Sequence, residues 1–303
     1  MIHKAKKSLG QNFLKSEIAL RKIIEAGEIK PDDIILEIGP GKGVLTEKIL
    51  ECAGLVIAVE KDRELFEFLK IKFEKEIMEN PPSHKATGGQ GKLILINDDI
   101  LKFDLNQTIL SFLNGLAGIG TRRTEDLRKT SKFFGFKIIA NIPYNITGGI
   151  LKKFLTEKNQ PESMVLMVQH EVAKRITGRG SNPSTPLRVK ESILSISVKA
   201  YGEPKIVMKV PARYFSPVPK VDSAIISIKN ISRKIFKENK INEERFWEVV
   251  KAGFAHKRKK LSSNLKNTLP CQKTSLIELG NKRAEDLSLT DWTGIILNNK
   301  LDK

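Results

Sequence analysis

The sequence predicts an α/β protein: a Rossmann-like parallel sheet with helices on both faces, followed by a smaller C-terminal helical domain. Three observations predict it. Short apolar runs of strand length alternate with segments of helical period, the pattern of parallel strands joined by crossover helices. A glycine-rich loop stands directly after the first of those runs and before a helical segment, which is where ligands enter open α/β sheets. From about residue 233 the chain turns helical and lysine-rich with no clear strand, so residues 1–232 and 233–303 read as two domains.

Taken in order, residues 17–26 space Ile18, Leu20, Ile23 and Ile24 as on a helix. Ile34–Ile38 is a short buried strand, Gly39–Gly43 the loop after it, and Val44–Leu50 a helix with Leu45, Ile49 and Leu50 apolar. Leu55–Val59 is a second strand ended by Glu60, and residues 63–78 form a long amphipathic helix. Leu93–Ile96 is a third strand running into Asn97-Asp98-Asp99. A fourth ends at Ala140, with a helix over Thr147–Leu155 after it, and Met164–Val168 is a fifth. Beyond residue 190 the runs Ile193–Val198, Lys205–Val210 and Ser223–Ile228 alternate in strand fashion, and an antiparallel pair is expected to close the sheet. Residues 80–92 and 114–132 carry Pro and Gly clusters and read as insertions. In the second of these, Arg122, Arg123, Arg128 and Lys132 read either as a solvated loop or as RNA contacts.

The chain has 303 residues, 40% hydrophobic and 29% charged, an ordinary globular composition with room for a catalytic domain and a smaller one. Lys and Arg number 53 against 35 Asp and Glu, and the net charge of +18 suits either a polyanionic partner or general basicity. The cysteines, Cys52 and Cys271, form no CxxC, which leaves no disulfide framework or zinc spacing and makes a reducing cytoplasm the simplest compartment. The four histidines are scattered with no H-x-x-H, so no metal site is expected. The basic N-terminus is followed by no apolar core of a secretory signal, and no apolar run is long enough to span a bilayer.

Glu37-x-Gly39-x-Gly41-x-Gly43 occupies a strand-to-helix junction, where glycine permits a tight turn and close backbone approach to a ligand. Glu60 ends the next strand, 21 residues after Gly39, where an acid can accept from both ribose hydroxyls. Asp99 follows the third strand and can accept from an adenine amino group. Three strand ends in series suit an adenosine-containing cofactor. The spacing is G-x-G-x-G rather than the dinucleotide G-x-G-x-x-G, and Gly41-Lys42-Gly43 is no phosphate loop. S-adenosylmethionine, which has no phosphates, fits a loop without an anion grip.

Asn141-Ile142-Pro143-Tyr144 follows the apolar run Phe136–Ala140. Pro143 fixes its own φ and biases Ile142 toward an extended backbone, which can aim carbonyls at a ligand. The Asn141 amide accepts and donates, and Tyr144 offers a flat face for a base. The tetrapeptide alone is equally a turn after a strand.

With these blocks in place the chain resembles the small-subunit rRNA adenine N6,N6-dimethyltransferases, the KsgA/RsmA type, over nearly its whole length. Ser8–Leu14 resembles the family's N-terminal motif, Glu37–Gly43 its methionine loop, and Asn141–Ile146 its Asn-x-Pro-Tyr-Asn-Ile motif. Val168–Ile176, Phe215–Ser223, Phe254–Leu265 and Arg283–Leu287 match further blocks. The resemblance implies that Asn12, Leu14, Gly39, Glu60, Asp99 and Asn141 line an S-adenosylmethionine site, joined by Gly41 of the loop. It implies a 16S rRNA target in the small ribosomal subunit or its precursor: two adjacent adenosines in a hairpin loop near the 3′ end. The two insertions are longer than the family pattern, and Thr147-Gly148-Gly149 replaces a Ser/Thr-rich continuation, which bears on substrate docking rather than on the cofactor.

On that reading the Asn141 side-chain oxygen and the Ile142 carbonyl accept the hydrogens of adenine N6. Pro143 holds the turn, and Tyr144 stacks on the extruded base, each such stack contributing on the order of 1–3 kcal/mol. Phe215 is either a second stacking face or core. The run His256-Lys257-Arg258-Lys259-Lys260, set on a helix between Phe254 and Leu261, reads as a phosphate-binding face or a solvated one. The expected protein is a cytoplasmic monomer with no membrane contact. Two other readings stay open: a large-subunit rRNA adenine methyltransferase of the antibiotic-resistance type, and a non-catalytic nucleic-acid-binding assembly or transcription factor.

Overall fold

The computed structural model describes residues 5–77, 92–105, 107–108, 135–178, 190–269 and 281–298. The stretches read as insertions lie outside the described residues except for Lys92. The strands are β1 (Phe13–Leu14), β2 (Ile34–Ile38), β3 (Leu55–Glu60), β4 (Leu93–Asn97), β5 (Phe136–Asn141), β6 (Ser163–Gln169), β7 (Glu203–Val210), β8 (Phe215–Ser216) and β9 (Ser223–Lys229). The first helices in the chain are α1 (Glu17–Gly27), α2 (Val44–Cys52), α3 (Arg63–Lys72), α4 (Thr147–Thr156) and α5 (His170–Thr177). They are followed by α6 (Ile193–Lys199), α7 (Lys234–Glu238), α8 (Glu243–Gly253), α9 (Leu261–Leu265) and α10 (Leu289–Asn298).

The main sheet has seven strands in the order β4-β3-β2-β5-β6-β9-β7, and β1 pairs with β8 in a separate two-stranded sheet. The five strands from β4 to β6 are parallel. Successive residues such as Ile35-Leu36, Val56-Ile57-Ala58 and Ile138-Ile139 are all fully buried, which requires cover on both faces of the sheet. Chain order reverses between β2 and β5, and a crevice opens there at the carboxyl ends of the strands. Register aligns those ends: Ile38 sits opposite Val59, Glu60 opposite Asn97 and Asn141 opposite Met167.

By compactness the chain divides into Met1–His170 with Val207–Ser227, and Glu171–Ile206 with Ile228–Lys303. In the first unit α3 stops at Lys72, short of the expected residue 78, because Phe73 leaves the helix to bury its ring. That ring lies against the glycine loop: a Cβ on Gly43, whose φ is +74°, would fall 2.5 Å from it. Gly43 is therefore demanded both by its left-handed backbone and by contact with α3.

In the second unit the strand expected over Ile193–Val198 is instead helix α6. The Ser192 and Ser195 side chains cap each other's backbone N–H in a reciprocal box, and Ser195, Ile196 and Val198 are buried. Capping at Ser192 thus outweighs the strand preference of the β-branched residues. Beyond residue 229 the described residues of this unit carry helices and turns and no strand. Tyr201 donates its hydroxyl to Glu243 (2.5 Å) and accepts from the Trp247 indole (3.0 Å), while Trp292 is stacked on Phe254. The basic run also departs from expectation. Residues 254–260 form a turn between α8 and α9 rather than a helix, with Lys257, Arg258, Lys259 and Lys260 all exposed. Asn264 shapes that turn by donating its amide to the carbonyls of Gly253 (2.6 Å) and His256 (3.1 Å). Among the described residues no helix is long and apolar enough to cross a membrane.

Candidate active site

A cavity of about 170 Å³ occupies the crevice at the strand ends. Its wall includes Asn12, Gly39, Gly41, Glu60, Asp99, Asn141, Ile142, Pro143 and Tyr144, so nine residues singled out along 133 positions of sequence converge on one pocket. Each is delivered by the end of a parallel strand or by the N-terminal segment that crosses those ends.

The glycine loop follows β2. Gly39 has a φ of +65° and its N–H donates to the Val59 carbonyl (2.9 Å), which bends the chain sharply off the strand. A Cβ built on Gly39 meets nothing within 4 Å, so this stretch of backbone faces open space that a ligand can approach closely. Lys72 anchors the loop from α3 by donating to the Lys42 carbonyl (2.8 Å).

Glu60 lies at the end of β3 and is nearly buried. One carboxylate oxygen accepts from the Gly41 N–H (3.0 Å) and the other from the Asp62 N–H (2.9 Å). Burial pushes its carboxyl above the ordinary value, opposed by these two N–H groups. Each oxygen keeps a further lone pair for a hydroxyl donor. Asp99 is held ionised: the Lys61 ammonium, 2.8 Å away, keeps its carboxyl below the usual range, and the Leu101 N–H donates to its other oxygen (3.0 Å).

Asn141 ends β5. Its side-chain N–H donates to the Asn12 carbonyl (3.1 Å), which fixes the amide and leaves its oxygen as an acceptor at the cavity. The short turn Tyr144–Ile146 follows. Tyr144 is held at both ends: Thr147 donates its hydroxyl to the Tyr144 carbonyl (3.1 Å), and the phenol lies 2.6 Å from the Ser223 hydroxyl.

Two expected residues stand off the wall. Leu14 and Phe215 oppose each other across β1 and β8, and that pairing turns both side chains into the core, 6% and 0% exposed. Phe215 therefore offers no face to a base, and the reading as a second stacking surface is corrected to core packing.

Sequence reasoning missed Asp62. Its nearly buried carboxylate receives Lys6 Nζ (2.7 Å), Gln11 Nε2 (2.7 Å) and the Glu64 N–H (3.1 Å). Burial alone would raise its carboxyl, but those donors hold it below the ordinary value. Asp62 thereby ties the segment Lys6–Asn12 across the mouth of the cavity. The available signal was local: Asp62 precedes Arg63-Glu64 and caps α3.

Glu37, beneath the loop, is fully buried, and its Oε2 makes no hydrogen bond among the described residues. Burial pushes its carboxyl up to about 8, with the Thr46 hydroxyl opposing and the Glu60 carboxylate adding to the rise. The folded state thus keeps a proton that the unfolded chain releases at the ordinary carboxyl value of 4.5. Glu37 therefore makes stability fall as pH rises from about 4.5 to 8. In Glu37→Gln this loss is absent, and the melting temperature of the variant relative to the parent should climb by several degrees from pH 5 to pH 8. A difference that stays constant across that range would show that Glu37 is ionised throughout.

Among the described residues no three His, Cys, Asp or Glu side chains are grouped to hold a metal ion. The arrangement offers carboxylates for a nucleoside's hydroxyl and amino groups, a fixed amide acceptor, and an aromatic face beside it. Such a site can place an exocyclic amine against a group donor.

Comparison with known proteins gives concordant findings. The sequence model of the family described as ribosomal RNA adenine dimethylase matches residues 2–298. The chain is 36% identical over 301 residues to a ribosomal RNA small subunit methyltransferase A of Dehalococcoides mccartyi, covering 97% of this chain and 88% of that one. The structure is similar to a crystal structure of a dimethyladenosine transferase from Plasmodium falciparum, with a TM-score of 0.69 and 25% identity over 94% of this chain and 96% of that one. It shares its fold with the 23S rRNA methyltransferase ErmE, with a TM-score of 0.64 and 23% identity over 96% of this chain and 100% of that one.

Proposed function

The chain belongs to the ribosomal RNA adenine dimethylase family, and from that premise we infer that it is a small-subunit rRNA adenine dimethyltransferase. It transfers methyl groups from S-adenosylmethionine to N6 of two adjacent adenosines in the 3′-terminal hairpin loop of 16S rRNA, giving N6,N6-dimethyladenosine. It acts as a cytoplasmic monomer on the small subunit or its precursor, with residues 1–232 carrying catalysis and 233–303 contacting RNA.

The observation that carries this reading is the Asn141 amide, which donates one N–H to the Asn12 carbonyl on a cavity wall that it shares with Tyr144. The residues present suit the cofactor. Gly39 leaves open space where the backbone must come close, no phosphate grip is present, and Glu60 and Asp99 supply acceptors for ribose and adenine. Asn12, Gly41 and Asn141 complete the set that holds it. S-adenosylmethionine, when bound, supplies a sulfonium methyl already activated for transfer.

The protein's part is orientation and electrostatics. The lone pair of adenine N6 is delocalised into the ring and is a poor nucleophile. With the Asn141 oxygen and the Ile142 carbonyl accepting both N6 hydrogens, the lone pair is turned toward the donor, and positive charge developing on nitrogen is stabilised. No strong base is needed, because the amine proton becomes acidic only as the new bond forms. Tyr144 stacks on the base after it leaves its own stack, a step that is easier from a hairpin loop than from a duplex. Lys257, Arg258, Lys259 and Lys260, exposed on one turn, bind phosphates.

The test is incubation with radiolabelled S-adenosylmethionine and separated ribosomal subunits from an unmethylated strain, followed by nucleoside analysis. The expected outcome is N6,N6-dimethyladenosine in small-subunit RNA alone. Label in large-subunit RNA would instead indicate the resistance-type activity. Tight subunit binding with no label would indicate a non-catalytic factor.

A further inference from the structure

The block Phe215–Ser223 buries Phe215 at one end and reaches the active site at the other. Ser223, the first residue of β9, is fully buried, and its hydroxyl lies 2.6 Å from the phenol oxygen of Tyr144. Ser223 is itself placed by its neighbour. The Asp222 carbonyl accepts from the His170 N–H (2.9 Å), and its carboxylate accepts from the Ala212 N–H (3.0 Å) and from Lys209 Nζ (2.8 Å). The Ser223 hydroxyl is thus a fixed point joined to the segments around residues 170 and 209–212.

We propose that Ser223 is a positioning residue for methyl transfer: through the hydroxyl–hydroxyl contact it fixes where the Tyr144 ring stands, holding the ring axis before any base arrives. The inference rests on the assignment of Tyr144 as the stacking face. A tyrosine side chain has two rotatable bonds. Here the backbone end is held by Thr147 and the far end by Ser223, so the axis of the ring is set in advance and less freedom is lost when the base binds. Without the Ser223 contact the phenol loses its anchor while the aromatic face remains. The effect then falls on capture and alignment of the base rather than on the cofactor, whose expected partners are Asn141 and residues at the β2, β3 and β4 ends and in the N-terminal segment, none of which is the partner of the Ser223 hydroxyl.

The experiment is a double-mutant cycle with Ser223→Ala, Tyr144→Phe and the combined variant. For each, methylation of small subunits is measured against subunit concentration, and S-adenosylmethionine affinity is measured by direct binding. Tyr144→Phe retains the stacking face and removes only the hydroxyl. The proposal expects each single variant to lose about 3–10-fold in kcat/KM for the subunit, with cofactor affinity unchanged, and the double variant to lose no more than either single one. Losses that multiply in the double variant, or a Ser223→Ala enzyme with parental kcat/KM, would overturn it. If Ser223→Ala fails to fold, Tyr144→Phe alone decides: parental kcat/KM in that variant is incompatible with a role for the anchored hydroxyl. If the parent protein itself leaves small-subunit RNA unmethylated, the functional reading fails, an outcome distinct from any pattern within the cycle.

Discussion

Asn141→Ala is expected to reduce kcat for methyl transfer by about 10²–10³-fold while changing S-adenosylmethionine affinity by no more than about threefold. One of the two N–H groups of the Asn141 amide is committed to the Asn12 carbonyl, so the amide cannot rotate freely, and its oxygen is left to accept from the amine under attack. A preorganised acceptor of that kind acts where charge develops, and alanine removes it without providing a substitute. The cofactor should stay bound, because Gly39, Glu60 and Asp99 approach the cavity from three other strand ends. Rapid-quench single-turnover kinetics, paired with a cofactor binding isotherm, separates the two effects. Near-parental kcat would remove Asn141 from the chemistry, and a parallel collapse of cofactor affinity would make its role structural.

Changing Lys257, Arg258, Lys259 and Lys260 together to glutamine is expected to weaken subunit binding and flatten its salt dependence. The four side chains are exposed on a turn between α8 and α9, where no helix face constrains which way they reach. Each phosphate neutralised on a single strand contributes roughly 0.7 to the slope of log K against log salt. Loss of four such contacts lowers the slope by up to about 3, which is on the order of 50-fold in the affinity change between 50 and 200 mM salt. Filter binding of small subunits across that range measures it directly. Methyl transfer at saturating subunit should persist, since none of the four is among the residues lining the strand-end cavity. An unchanged slope would return the run to a solvated surface.

Legibility in the sequence followed the reach of the forces involved. The parallel strands were readable because burial on both faces leaves unbroken apolar runs such as Ile34–Ile38 and Phe136–Ala140. The glycine loop, Glu60, Asp99 and Asn141 were readable because each closes such a run, and strand ends on one side of a parallel sheet must share an edge. Ile193–Val198 misled because its alternation suits a strand, whereas a cap made by two serines decided for a helix. The basic run misled similarly: apolar residues flanking it at helical spacing do not show that the helix stops at Gly253 and restarts at Leu261.

By itself the sequence determined the α/β fold class, the order of the strands along the chain, and the residues whose chemistry suits a nucleoside cofactor and an exocyclic amine. These depend on periodicity and on residue type at strand ends, both of which are local. Tertiary structure alone decided which of those residues share a cavity and in what posture. Pairing of β1 with β8 turned Leu14 and Phe215 inward, the Asn12 carbonyl oriented the Asn141 amide, and Ser223 anchored Tyr144 from 79 residues away. Asp62 drew Lys6 and Gln11 across the mouth of the site from more than 50 positions distant. The physical reason is that a hydrogen bond depends on distance and angle between two groups, and for partners far apart in sequence those are set only once the sheet has brought them together.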